Sequence, residues 1–330
     1  VAALAGFAFL LLGAIPVHAE YELGRGLPLF DGRLIVGGYL AINATFLDET
    51  PDRLLVDDLS TFLTLKLTDT TLIFAEAELE DPVHIGKGGV GSGSNIFSLE
   101  RLYAQWEPGD HFRLRVGKLL TPIGIWNTIH AAPLVWTTSR PIATRQFFDT
   151  GVTGAEATVF STLRSVDVAF TAFGQATPHL DDPNDDQQNR YAFGTHLEAG
   201  AQNGPHLGAS FVRFDDDTDH RWETTYAADA MWSMRLVEFS LEVAANDPDS
   251  GLTTWGAYFQ SVFHVGSDHQ FHPFVRVEYA DLGAVRRVPV VFGLAWKPVP
   301  AMVFKLEGIV GGDDTELGGD GALTSFAVLF

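Results

Sequence analysis

The sequence predicts an all-β fold, a transmembrane antiparallel β-barrel of about 16 strands with short periplasmic turns and long extracellular loops. Three observations lead there. From Gly32 onward, apolar residues recur at every second position far more clearly than at helical spacing. The connections alternate between tight turns and long polar loops. The alternating runs are about ten residues long, which suits the ~9–11 residues a tilted strand needs to cross a bilayer.

Each element follows from local pattern. In Leu59–Leu67 the odd positions are mostly aliphatic, and in His111–Val116 the apolar face is Phe112, Leu114 and Val116. The same alternation runs through Val166-Asp167-Val168, Val237–Val243 and Val275–Tyr279. The pattern predicts strands near 32–43, 57–67, 70–80, 96–107, 110–118, 147–160, 165–176, 190–200, 205–214, 221–232, 235–245, 252–264, 270–280, 286–297, 300–310 and 321–330. Tight connections fall at Thr68-Asp69, Pro108-Gly109, Ser161–Arg164, Ser233-Met234 and Pro298-Val299. Long ones fall at 44–56, 81–95, 119–146, 177–189, 215–220 and 311–320. A closed barrel satisfies every backbone group in lipid and leaves no sheet edge.

The front of the chain reads as a targeting segment. Val1–Ile15 is an apolar run, followed by Pro16-Val17-His18-Ala19 and Glu20. Residues 1–19 are therefore expected to be a secretory signal lacking its start, since the run falls short of the ~20 residues of a membrane helix. Residues 20–31 would form a short periplasmic segment and 32–330 the barrel, in the outer membrane of a Gram-negative bacterium. Trp106, Trp232 and Trp296 lie beside short turns, and Trp222 and Trp255 near long-loop ends, as an interfacial girdle requires. The last strand, Leu323–Phe330, ends in Phe and resembles the signal by which bacterial outer-membrane barrels are recognised for assembly.

Composition excludes several functions. With 21 Lys+Arg against 42 Asp+Glu the net charge is −21, which opposes nucleic-acid binding. The absence of Cys removes disulfides, thiolate metal sites, covalent c-type haem and a cysteine nucleophile, and no cofactor is expected. A hydrophobic content of 46% excludes disorder. Acid concentrates in the long loops: Asp48, Glu49, Asp52, Asp57 and Asp58; Asp181, Asp182, Asp185 and Asp186; Asp215, Asp216, Asp217 and Asp219; Asp247 and Asp249; Asp313, Asp314, Glu316 and Asp320. Such charge keeps loops solvated, or bridges through divalent cations to lipopolysaccharide among the outer-membrane lipids. Asp215–Asp219 lacks the turn Gly and bidentate Glu of a calcium loop, so no metal is assigned.

Residues 119–146 differ from the other loops. They contain Trp126, Trp136, His130, Arg140, Arg145 and three prolines, and no acid. A long apolar connection of this kind is usually functional, and folding it inward would bury both tryptophans and narrow a channel. Here the run Arg115-Val116-Gly117-Lys118-Leu119-Leu120-Thr121-Pro122-Ile123-Gly124 and the later Arg145-Gln146-Phe147-Phe148-Asp149-Thr150-Gly151-Val152 resemble porins related to the phosphate-selective porin O and P family. The specific match covers roughly residues 110–155. The resemblance implies a sixteen-stranded homotrimeric passive channel constricted by its third loop. The chain departs from the anion-specific members in lacking a Lys-rich loop or a long arginine ladder.

Strand parity gives an independent view of the lumen. A charge on the lipid face at mid-membrane costs ~2–4 kcal/mol. His111, Arg113, Arg115, Arg101, Lys66, Arg276, Arg287 and Lys305 are therefore expected inside, with Glu76, Glu78, Asp167, Glu198, Glu238, Glu242, Glu278 and Glu307. The candidate pore-lining set is Lys66, Glu76, Glu78, Arg101, Arg113, Arg115, Trp126, Trp136, Arg140, Arg145, Arg276 and Glu278. Arg113, Arg115, Arg140 and Arg145 would make a basic side to the constriction, facing Glu76 and Glu78, and pass small hydrophilic or charged solutes, anions among them. Internal salt bridging that only supports the wall is the alternative for each. No enzyme is expected: there is no H-E-x-x-H or G-x-S-x-G, and Gly86–Gly91 matches G-x-G-x-x-G only in a loop with no following helix. A sheath around a partner cytochrome, or a barrel hydrolase, are the other readings.

Overall fold

The computed structural model describes residues 26–330 apart from 49, 95, 176–188, 202–203, 217–220, 267 and 313–318. The expected signal at 1–19, residues 20–25, and Glu49, Asp181, Asp182, Asp185, Asp186, Asp217, Asp219, Asp313, Asp314 and Glu316 lie outside the described residues.

Sixteen antiparallel strands close into a barrel. They are β1 Leu34–Leu47, β2 Arg53–Lys66, β3 Thr71–Gly86, β4 Phe97–Gly109, β5 Phe112–Leu120, β6 Gly151–Leu163, β7 Val166–Gln175 and β8 Asn189–Ala201. Then come β9 His206–Asp216, β10 Trp222–Ser233, β11 Val237–Pro248, β12 Thr254–Phe263, β13 Phe271–Asp281, β14 Val290–Val299, β15 Met302–Val310 and β16 Gly321–Leu329. Each pairs with the next, and β16 returns to β1 from Gly321↔Leu47 to Leu329↔Tyr39. Phe330 and Gly38 exchange backbone hydrogen bonds at 2.9 Å, extending that seam by one rung.

Three short strands sit at the rims. Leu27–Leu29 pairs with the start of β1, so part of the expected N-terminal segment is joined to the wall. Gly89–Gly91 folds back onto the end of β3, making the G-x-G-x-x-G stretch a hairpin tip with no helix after it. Arg286–Arg287 pairs with Ala280 and Asp281 at the end of β13. Arg287, expected on the inner wall, therefore stands at the rim.

Short connections fall on one rim, and the longer ones on the other, as the two-tier pattern requires. Several strands run further than the alternation suggested. The first loop is 48–52 rather than 44–56, and the second is 87–96 rather than 81–95. Above the bilayer, polar side chains continue the hydrogen-bonded ladder because water can replace lipid on its outer face. The third connection is 121–150 rather than 119–146, since Phe147 and Phe148 turn into the interior before β6 begins.

Alternation separates the faces. On β13, Phe271, Val275 and Val277 are exposed on the outside, while His272, Phe274, Arg276 and Glu278 are buried inside. Trp106, Trp232, Trp255 and Trp296 are all exposed on the outer face, and Trp296 stacks in a row with Phe271, Phe304 and Phe326. This is how an apolar band with aromatic edges meets lipid. Inside, two apolar clusters form. One joins Leu119, Ile123, Trp126, Phe147 and Phe148 to Tyr103, Phe173, Phe214 and Tyr258. The other joins Ile142, with Ala132 and Trp136 against it, to Val262, Phe274, Val291 and Val303. Both are built around residues of the third connection.

Placing a cation on the outer face tests this orientation. Val277→Arg should lower unfolding stability in bilayers by about 2–4 kcal/mol if the residue lies near mid-membrane, measured by urea titration. An unchanged midpoint would mean that this face is wet.

Candidate functional site

The third connection leaves the wall after β5 and rejoins it at β6, yet most of its polar contacts are with β11–β15. Its course is set by where its backbone donors find acceptors. Gly124 adopts a left-handed conformation (φ 63°), which glycine tolerates and a side chain here would not, since a Cβ would meet Glu242 Oε2 at 2.0 Å. The turn brings the Ile125 and Trp126 N–H groups onto the Glu242 carboxylate at 3.0 Å each. The Tyr258 hydroxyl donates to the same carboxylate at 2.5 Å.

Two more carboxylates repeat the device. The Thr138 and Ser139 N–H groups donate to Glu307 at 2.8 and 3.2 Å, and that of Ile142 donates to Glu278 at 2.8 Å. Arg276, fully buried, donates to Glu278 (2.8 Å), Thr137 Oγ1 (2.8 Å), Ser139 O (2.9 Å) and Ser139 Oγ (2.6 Å). Lys305 Nζ donates to the carbonyls of Ala132 (2.7 Å) and Thr137 (3.0 Å). Trp136 Nε1 donates to Glu238 at 2.7 Å. The two ends of the segment are tied by Asn127, whose amide donates to Thr121 O (2.7 Å) and Thr150 O (3.0 Å). On the return, Thr225 donates to the Phe147 carbonyl, and Gly256 leaves room for the Phe147 ring.

The wall at β1–β4 carries a different set. Tyr39 donates to Glu78 (3.1 Å), and Ser60 to Glu76 (3.1 Å). Arg101 donates to Glu76 at 2.5 Å, with its guanidinium 4.9 Å from the Phe74 ring centre. A bulge opposite Glu76–Ala77 inserts Glu100 between Leu99 and Arg101. Because a bulge breaks strict alternation, both consecutive residues reach inner partners: Arg101 meets Glu76, and Glu100 lies 3.6 Å from His130 of the third connection.

The predicted residues thus divide. Glu76, Glu78 and Arg101 stand together on the inner wall. Arg276 and Glu278 form a buried clamp on the segment rather than an open pore surface. Trp126 is buried in the first cluster and Trp136 packs against the second. Arg113 and Arg115 face inward from β5 but share Glu156, at 4.0 and 3.5 Å. Arg115 also donates to Gln105 at 2.7 Å. Arg140 turns into the segment itself, donating to Asn127 Oδ1 (2.8 Å) and Thr144 O (2.7 Å). Burial, and then the charge of Arg145, push its pKa down to about 10. Arg145 remains exposed. The four arginines are therefore split between a wall cluster and the segment instead of forming one basic side. Lys66 is exposed at the turn rim, where β2 ends, away from the segment; Asp167, likewise, is exposed at the start of β7. Sequence reasoning did not mark Glu242, Glu307, Lys305, Tyr258 or Asn127 as part of the site. Parity placed Glu242, Glu307 and Lys305 inside, but nothing in the spacing says which acids hold a loop.

No protein-family model matches the chain, and no curated protein does. Solved structures do. OmpF of Salmonella typhi superposes with a TM-score of 0.63 at 10% identity, covering 90% of this chain and 97% of that one. The fold is that of the bacterial outer-membrane porins. An anion-selective porin from Comamonas acidovorans gives 0.59 at 12% identity over 90% and 98% of the two chains. The trimer form of OmpT, an outer-membrane protein of Vibrio cholerae, gives 0.57 at 10% over 90% and 97%.

Two outcomes test the anchoring. Glu307→Ala strands the buried Thr138 and Ser139 donors. Leaving them unsatisfied should cost about 1–3 kcal/mol, read from the urea unfolding midpoint. The second concerns His130. Burial, then the charge of Arg140, push its pKa down to about 4, while the unfolded chain takes up that proton near ~6.5. Stability should therefore fall as pH drops from about 6.5 to 4 and level off below. His130→Asn should remove that part of the slope.

Proposed function

We propose that this chain is a passive outer-membrane diffusion channel for small hydrophilic solutes, constricted by residues 121–150. The observation that carries the reading is the crossing of that segment to the opposite wall, where Glu242, Glu278 and Glu307 receive its backbone. The two apolar clusters brace it against β4–β9 and against β11–β16 with β1. The sector along β3–β5, where Arg101, Arg113 and Arg115 stay partly exposed beside buried Glu76 and Glu156, is where solutes pass in this reading. Charges of both signs there would orient polar solutes and exclude apolar ones.

The wider assignment follows from the same reading. The porin neighbours, one of them recorded as a trimer, support a homotrimer in a Gram-negative outer membrane with lipopolysaccharide around its loop rim. Residues 1–19 act as the export signal. Kinship with the phosphate-selective porins is the finer part of the proposal, resting on the stretch that forms β5 and the entry to the constriction. The inward loop counts against a sheath around a cytochrome, which needs an open lumen.

Purified protein in a planar bilayer should give discrete open steps, with a reversal potential across a KCl gradient that reports the sign of the passage. Folded protein without conductance would mean a plugged barrel and would defeat the channel reading. Replacing Arg113 and Arg115 by Ala should move the reversal potential towards cation preference, because Glu156 loses its two cations. Unchanged selectivity would show that this cluster lies outside the path of the ions.

A further inference from the structure

Trp136, midway along the constriction segment, rests on a feature that the channel reading does not use. Its indole lies 4.4 Å from the His272 ring and 5.7 Å from the His264 ring, centre to centre. Lys297 Nζ stands 4.4 Å from the indole centre on β14. The indole N–H is held by Glu238 of β11. His272 is a buried inner residue of β13, and His264 belongs to the turn that precedes it. The two rings meet Nδ1 to Nδ1 at 2.8 Å, nearly perpendicular at 80°.

That contact has a chemical condition. A hydrogen bond between two imidazole nitrogens needs one Nδ1 to carry the proton and the other to offer its lone pair. The pair can gain one proton and keep the bond, because an imidazolium still donates to a neutral partner. A second proton puts N–H on both facing nitrogens, and the bond is lost. The surroundings add to the cost: the Lys297 ammonium lies 4.4 Å from the indole centre, and His269 of the same turn lies against the His264 carbonyl (3.4 Å). Glu238 is the acid in direct contact with the group, through the indole N–H; Asp268 is exposed on the turn.

We propose that the His264–His272 pair is an acid-released latch on the constriction: while at most singly protonated it holds Trp136 of the segment against the wall, and double protonation frees that side chain. Histidine ordinarily titrates over about pH 5–8, and the charge of the first imidazolium moves the second protonation below that range, so the device responds to acid at the short-turn rim, where His264 follows β12. The latch rests on the reading of residues 121–150 as a constriction, and its test is arranged so that either can fail without the other.

Two readouts are needed. The first is the fluorescence of Trp136 in the folded full-length protein, taken as the difference between wild type and Trp136→Phe, from neutral pH down to about pH 3, below the ordinary histidine range. The second is the open-channel current in planar bilayers over the same range. A latch predicts an acid transition in the Trp136 difference signal and a matching rise in current fluctuation. His264→Asn, which keeps an amide able to bond His272 without titrating, should abolish both. His130→Asn should leave the transition in place, since His130 lies on another part of the segment. An unaltered transition in His264→Asn, or none in wild type, overturns the latch. A Trp136 transition that His264→Asn removes, in protein that never conducts, keeps the latch and defeats the channel reading.

Discussion

Irregular backbone can lie inside a membrane barrel only if its N–H and C=O groups find partners there, because the wall cannot lend its own, which are committed to the strand ladder. Residues 121–150 meet that requirement by borrowing side chains. Glu242, Glu278 and Glu307 present carboxylates as acceptors, while Arg276 and Lys305 present donors to carbonyls. An unpaired buried peptide group costs about 1–3 kcal/mol, so a segment with this many inward-facing groups has few stable courses across the lumen. The course it takes decides which part of the wall stays uncovered.

This constraint also changes how the inner charges are to be understood. Parity shows only that a charged residue faces inward. The structure shows that an inward charge can belong to the segment's support and so be withdrawn from the lumen. Arg276, fully buried with four hydrogen bonds, is the clearest case. Arg140 is another, folded back on Asn127 and Thr144. Glu76 and Glu78 are buried as well, and among the candidate wall residues it is Arg101, Arg113 and Arg115, on β4 and β5, that stay partly exposed.

The fold was legible because it obeys a single rule repeated many times. Period-two alternation, tight turns on one rim and long loops on the other suffice to count sixteen strands and to orient each face. Strand ends were less legible, since Ala44-Thr45, Arg53–Val56 and Val83–Gly86 fall in stretches that read as loop but still pair, with Asp57 and Asp81-Pro82 bulging between paired residues. The site was partly legible: the apolar, acid-free composition of 119–146 marked it as inward-folding. Its anchors were not, because the bond from Ile125 to Glu242 joins residues far apart in sequence and depends on a left-handed Gly124. The bulge at Glu100 was also hidden, as one extra residue in a strand leaves no trace in composition yet turns two adjacent side chains inward.

Rigidity and passage are linked in this arrangement. A segment held only by apolar packing could slide, since apolar contact is non-directional. The carboxylate anchors are directional, and they lie on three separate strands, so displacing the segment requires breaking charged hydrogen bonds at several heights at once. Trp136 differs from the rest: its contacts are an indole N–H bond to Glu238, a tilted ring contact with His272 and the Lys297 ammonium 4.4 Å from the indole centre. Those interactions respond to the charge on neighbouring imidazoles, whereas the Ile142 N–H shares the Glu278 carboxylate with the Arg276 guanidinium. The segment is thus fixed firmly from Thr137 to Ile142 and conditionally at the neighbouring Trp136. In the channel reading proposed above, a constriction built this way moves at that side chain while its backbone anchors hold.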